Sequence, residues 1–295
     1  MISDRSGYIF KVCRVHNLID LKSVINNGAT MIGIHAVILD REEYLKNEIK
    51  YKPCLSTESL NIDNRLPVHL YEIESIRIMQ REMPKGISQA ILFQQPIGVE
   101  LMKKSCEIYS IPINNTYIQL HHRTTAEYIN EIKNKLCKNI IAVVGMYQED
   151  FNSYFWYIHD SLNENIDYIL LDLSVHQSDF GNYNKSINKL QKLQEIADKI
   201  KGNRIPILLA DDTSVEEMHK YIEVLRRKNI FIKGIDMQNS VEIDKSKQKY
   251  VTLNDNNTKY QAKVRKSEVL LKDWKRFIEE NANKYFNGRD VNEMD

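Results

Sequence analysis

The sequence predicts a (β/α)₈ barrel, and three observations carry that prediction. Eight short, apolar, β-rich runs alternate with longer stretches of helical period, the pattern of βα units wound around a parallel sheet. The chain has 295 residues, inside the usual span of such a barrel. The competing open, doubly wound sheet wants a GxGxxG turn after its first strand, and none is there. Hydrophobic residues at 42% and charged residues at 27% supply a sizeable core and exclude a disordered chain, so residues 1–295 are read as one domain.

The first strand is expected over 8–13, followed by a helix over 18–27 that Gly28 closes, and the second strand over 31–37. Residues 39–67, rich in charges and turn formers, read as an insertion, and a helical period returns over 71–83. The third strand, 89–93, leads to a helix over 98–109. The fourth, 117–120, leads to one over 125–136 that Thr124 or Thr125 can cap. Residues 139–144 form the fifth strand and 151–163 its helix. The sixth, 168–171, is a continuous apolar run of the kind buried on both faces, separated by a polar loop from a helix over 187–201. The seventh, 207–210, precedes a helix over 215–228 with Asp212, Thr213 or Ser214 at its cap. The eighth covers 231–235. A second insertion, about 249–265, reads as a β-hairpin around Asn254-Asp255-Asn256-Asn257, and an amphipathic helix over 267–285 completes the eighth unit.

Forty-one Lys+Arg against forty Asp+Glu leave a formal charge of +1, so no global field argues for nucleic acid or an anionic membrane. No run approaches a membrane span and the N-terminus has no signal-peptide core, which points to the cytoplasm. Cys13, Cys54, Cys106 and Cys137 stand far apart without CxxC spacing, so neither a zinc knuckle nor a disulfide framework is expected. No flavin, nicotinamide or nucleotide fingerprint is visible, and no cofactor is expected. A small-molecule substrate is the expected partner, with homodimerisation left open.

The strand ends carry a further signal. The first reads Lys11-Val12-Cys13, then Asn17-Leu18-Ile19-Asp20 and Gly28-Ala29-Thr30-Met31-Ile32-Gly33; the fourth ends Gln119-Leu120-His121-His122. The sixth ends Ile169-Leu170-Leu171-Asp172, and the eighth Ile235-Asp236-Met237-Gln238-Asn239-Ser240-Val241-Glu242. In this order, across roughly residues 8–242, the chain resembles phosphoribosylanthranilate isomerase, whose corresponding strands carry Lys-Ile-Cys-Gly, Gln-Leu-His-Gly, Leu-Leu-Leu-Asp and Val-Asp-Val-Ser-Ser-Gly-Val-Glu. The resemblance implies Cys13 as general base and Asp172 as general acid on a sugar, at the barrel's C-terminal mouth. It also implies substrate contacts from Gln119, His121, Asp211, Asp212, Asp236, Asn239 and Ser240, with Arg65 the best match for a carboxylate-binding arginine. To serve as base, Cys13 needs a positive neighbour, for which Arg14 or a histidine is at hand.

The departures from that pattern concern phosphate. The family's phosphate loops are glycine-rich because glycines let backbone N–H groups converge on an anion. Here glycine is 10 of 295 residues, about 3% against a usual ~7%; Asp211-Asp212 follow the seventh strand and Phe180-Gly181-Asn182-Tyr183 lies after the sixth. The expected function is therefore a divergent isomerase of the intramolecular oxidoreductase type, acting on a sugar-amine or nucleoside-like molecule other than the standard phosphoribosyl substrate. The alternatives are a non-catalytic barrel that binds a ligand or partner through its insertions, and a metal-dependent barrel using His35, His121, His122, Asp172, His176, Asp211 and Asp212. In the enzyme readings the two insertions serve as lids.

Overall fold

The computed structural model describes residues 7–35, 75–93, 97–137, 139–174, 189–255 and 258–285. Its strands are β1 (Ile9–Val12), β2 (Met31–His35), β3 (Ser88–Phe93), β4 (Thr116–Leu120), β5 (Asn139–Gly145), β6 (Tyr168–Asp172), β7 (Ile207–Ala210) and β8 (Ile232–Met237). They are all parallel and close in sequence order, β8 pairing back onto β1. Helices follow in turn: α1 (Leu18–Asn26), α2 (75–81), α3 (Val99–Ile108), α4 (Ala126–Lys135), α5 (Phe151–Ser161), α6 (Lys189–Lys199), α7 (Val215–Arg226) and α8 (Glu268–Tyr285). The fold is the expected (β/α)₈ barrel. The insertion expected over 39–67 lies outside the described residues.

Alternation along each strand divides the core in two. Phe10, Val12, Ile32, Ile34, Ile91, Phe93, Ile169, Leu171, Leu209 and Ile235 belong to the large cluster between sheet and helices. Ile9, Met31, Ala90, Ile141, Val143, Leu170 and Leu208 form a second, smaller cluster that fills the barrel. Helices are held on by one apolar stripe each: α5 buries Phe151, Tyr154, Phe155 and Ile158, spaced three and four apart. Caps follow the sequence, Thr125 accepting from the Tyr128 N–H and Ser214 from the Glu217 N–H, both at 3.3 Å.

Closure depends on one glycine. Gly234 of β8 pairs with Ile9 of β1, and a Cβ at residue 234 would lie 2.0 Å from the Ile9 carbonyl oxygen. At the same place β7 steps from Ile232 to Gly234, a bulge that skips Lys233.

The expected hairpin is present as β9 (Lys249–Asp255) and β10 (Thr258–Val264). Its base is tied to α1: buried Asp20 accepts from the Arg265 N–H at 3.1 Å and the Lys266 N–H at 2.9 Å, and Asn17 Nδ2 donates to the Lys263 carbonyl at 3.0 Å. Lys266 Nζ in turn donates to buried Glu242 and to the Gln238 carbonyl after β8.

Candidate functional site

A cavity of ≈ 390 Å³ opens at the C-terminal ends of the strands, where side chains of the inner set run out of apolar partners. Around it stand Cys13 after β1, His35 at the end of β2, Leu92 of β3, Gln119 and His121 of the fourth unit, and Leu170, Asp172 and Ser174 of the sixth. Ala210, Asp211 and Asp212 follow from the seventh, and Asp236, Met237, Gln238 and Asn239 from the eighth.

Period 2 along β1 puts Lys11 on the same face as Cys13 and sends it into the barrel, fully buried. Its Nζ donates to Asp236 Oδ2 at 2.6 Å and to Cys13 Sγ at 2.6 Å, and Sγ donates to the same Oδ2 at 3.6 Å. Burial works against the Lys11 charge, but Asp236 and Cys13 outweigh it and push the ammonium's pKa up, so Lys11 is a cation. Burial, then the Asp236 charge, pushes the Cys13 thiol up to about 12 in spite of Lys11, so at neutral pH the sulfur keeps its proton. Burial also raises Asp236, which Lys11 partly offsets.

Gly33 makes room for this cluster. A Cβ there would stand 2.4 Å from Cys13 Sγ and 3.2 Å from Lys11 Nζ. Gly33→Ala is expected to cost about 1–3 kcal/mol in urea denaturation, as overpacking does, and most of that cost should vanish in a Cys13→Ala background. An equal cost in both backgrounds would show that the sulfur is not what the methyl group meets.

Two histidines, His35 and His122, are held neutral by burial. The His35 N–H donates to His16 Nε2 at 3.2 Å, and burial followed by His16 and Arg14 lowers His35 well below the usual imidazole range. Burial brings His122 to about 4 against the help of the Arg123 carbonyl, and Gln119 Nε2 pairs with His121 Nε2 at 2.7 Å. Three buried polar atoms on cavity-lining residues have no hydrogen-bond partner among the described residues: His35 Nε2, Gln119 Oε1 and Asp236 Oδ1. Orphaned groups of this kind are costly unless a ligand or water completes them.

On the opposite side the carboxylates are partly committed. Asp172 is buried and accepts the Ser174 N–H through Oδ1 at 2.8 Å. Asp211 is bridged by Lys189 Nζ at 2.9 and 2.8 Å; burial nevertheless pushes its pKa up, and Asp172 adds to the rise. Asp212 turns toward the loop after β8, its Oδ1 accepting the Asn239 N–H at 2.7 Å and its Oδ2 meeting Asn239 Nδ2, at the start of the 3₁₀ turn Asn239–Val241.

Of the residues expected from sequence, Cys13, Gln119, His121, Asp172, Asp211, Asp212, Asp236 and Asn239 meet around one cavity, while Ser240 is not among its lining residues. Arg65 and His176 lie outside the described residues. The positive group beside Cys13 is Lys11 rather than Arg14 or a histidine, because Arg14 follows in a left-handed turn at φ 60° and leaves the strand's inner face. Sequence reasoning passed over Lys11, Gly33, Ser174 and Lys189; the two-residue spacing of Lys11 and Cys13 was the available signal. No described hairpin residue lines the cavity. Among the described residues no three His, Cys, Asp or Glu side chains gather as a metal set, and no described helix is long and apolar enough to cross a membrane.

No family model and no curated protein matches the sequence. Solved structures do match. Phosphoribosylanthranilate isomerase from Thermotoga maritima, crystallised as monomers made from a dimeric protein, has a TM-score of 0.54 at 15% identity, covering 92% of this chain and 99% of that one. The Pyrococcus furiosus isomerase gives 0.53 at 14%, with 92% and 99% covered. The tryptophan synthase α subunit of Legionella pneumophila gives 0.53 at 9%, with 92% and 93% covered. At such identities the likeness is one of fold: the chain is a (β/α)₈ barrel similar in structure to these enzymes.

Proposed function

We propose that this chain is an acid–base isomerase of the cytoplasm acting on a sugar-amine or nucleoside-like small molecule that lacks a phosphate at the usual barrel position. The supporting observation is the single cavity that has Asp172 on the β6 side of its wall and the Lys11–Cys13–Asp236 cluster on the β1 and β8 side. Isomerising a glycosylamine needs one group to give a proton and another to take one, both within hydrogen-bond reach of the sugar. In this reading Asp172 gives its proton to the ring oxygen as the C1–O bond breaks, and the nitrogen lone pair forms the C1=N bond. The cluster across the cavity then accepts the C2 proton, and His35 and Gln119 complete their orphaned atoms on the sugar hydroxyls.

Substrate choice follows from Asp212. In many (β/α)₈ enzymes a phosphate sits at the loops after strands 7 and 8, on the N-terminus of a short extra helix. Here the Asp212 carboxylate takes the Asn239 N–H at the start of the equivalent 3₁₀ turn, so the protein supplies its own anion at that place. A phosphate brought there would face that carboxylate at close range, where like charges repel.

The test is turnover of an N-aryl ribosylamine with and without a 5-phosphate, together with complementation of a strain lacking phosphoribosylanthranilate isomerase. The unphosphorylated compound is expected to turn over, and growth without tryptophan is expected to fail. Robust growth would overturn the phosphate argument; absence of turnover with either compound would overturn the isomerase reading.

A further inference from the structure

The Lys11–Cys13–Asp236 cluster offers two atoms that could take a proton, and the geometry separates them. Cys13 Sγ is committed on both sides: Lys11 donates to it at 2.6 Å, and it donates to Asp236 Oδ2 at 3.6 Å. A thiolate at that sulfur would stand beside a carboxylate in a buried site, which the thiol form avoids. Asp236 is placed differently. Its Oδ2 is held by both β1 side chains, while Oδ1 is buried without a donor among the described residues, on a residue that lines the cavity. A carboxylate with one oxygen anchored and the other lacking a donor gains the most from an arriving proton.

We propose that the proton-accepting group of this site is the Asp236 carboxylate, through Oδ1, and that Cys13 is a positioning residue whose thiol, with the Lys11 ammonium, holds Oδ2 in place. The inference rests on the isomerase reading above and deepens it. The C2–H bond of the ring-opened iminium breaks with its proton going to Oδ1; the electron pair forms C1=C2, and the C=N π pair returns to nitrogen. Asp236 then gives the proton to C1 while the O2–H proton leaves to solvent, from which Asp172 regains the proton it gave, and the aldose-to-ketose change is complete without any added reactant. The groups facing Asp236 fit this cycle. Lys11 and Cys13 approach from β1 and Asp172 acts on it from β6, so burial and Asp172 raise its basicity while Lys11 limits the rise. When Asp236 is protonated the buried Lys11 charge stands without its counter-ion, which drives the proton back onto the product.

Two measurements test this. With N-(2-carboxyphenyl)ribosylamine as substrate in D₂O, Asp236→Asn is expected to lower isomerisation and deuterium entry by about 10²–10⁴-fold, the usual loss for a proton-transfer group. Cys13→Ser, whose hydroxyl can make the same bond to Oδ2, should lower it by no more than about tenfold and keep the wild-type pH profile. Independently of any substrate, the thiolate ultraviolet absorbance of wild type minus Cys13→Ser should stay flat to about pH 9. Turnover abolished by Cys13→Ser but spared by Asp236→Asn, or a Cys13 thiolate titrating near neutrality, overturns the inference and leaves the isomerase reading standing. Absence of turnover by the wild-type protein overturns that reading and the inference with it.

Discussion

Asp172→Asn is expected to reduce turnover of an N-aryl ribosylamine by about 10²–10⁴-fold while leaving the barrel folded. The substitution keeps size and shape, and an amide oxygen still accepts the Ser174 N–H that Oδ1 now takes at 2.8 Å. What it removes is the proton required by the breaking C1–O bond. It should not weaken the fold, because a neutral amide of the same size replaces the neutral acid that the mechanism requires. The expected pair of results is therefore a collapse of kcat with a melting temperature about equal to that of the parent. Turnover within about threefold of wild type would remove Asp172 from the mechanism. A large fall in melting temperature would instead show that its buried carboxylate is structural.

Gly234→Ala is expected to have the largest effect on stability. The added methyl would sit 2.0 Å from the Ile9 carbonyl oxygen and 2.7 Å from its carbonyl carbon, both backbone atoms in the seam where β8 closes onto β1. Relief requires one strand to move, which breaks the register of Phe10 with Ile235 and Lys11 with Asp236. A cost of about 3 kcal/mol or more follows, the upper part of the range for overpacking and a large share of a typical domain's stability. Gly145→Ala is the control: its methyl meets only the Gln148 side chain, at 3.4 Å, which can swing aside. Urea midpoints should separate the two variants widely, and equal midpoints would show that the seam tolerates a side chain.

The barrel was legible in the sequence because each strand is a short apolar run whose alternate residues face two different cores, and because turn chemistry marks most helix starts. Thr125 was one of two candidate caps and Ser214 one of three; the structure selects each by its bond to the N–H three residues on. The strand ends were legible too, bringing Cys13, Asp172 and Asp236 to one mouth. What joins them was not. Lys11 in an apolar run reads as a charge reaching for solvent, and only the closed sheet places it inside, against an aspartate 225 residues away. The eighth strand runs two residues past its expected end, to Met237, and Lys11 anchors Oδ2 of its Asp236 inside the barrel. Asp212 could be read as unfavourable to phosphate, but its grip on Asn239 depends on how two loops meet across the mouth.

The tether between Asp20 and the hairpin base sets an order of assembly. Asp20 is buried, and burial pushes its pKa up against the help of the Lys266 and Arg265 N–H groups whose hydrogen bonds it accepts, contacts spanning about 245 residues of chain. Until residues 265 and 266 have left the ribosome this carboxylate has Asn17 Nδ2, at 2.8 Å, but lacks both of these backbone donors, and hydration competes for it. The N-terminal unit therefore cannot reach its final packing during synthesis, although domains commonly fold from that end. Native structure is completed by a late, high-contact-order step in which a segment made late secures one made early, so slow, cooperative closure belongs to this chain's topology.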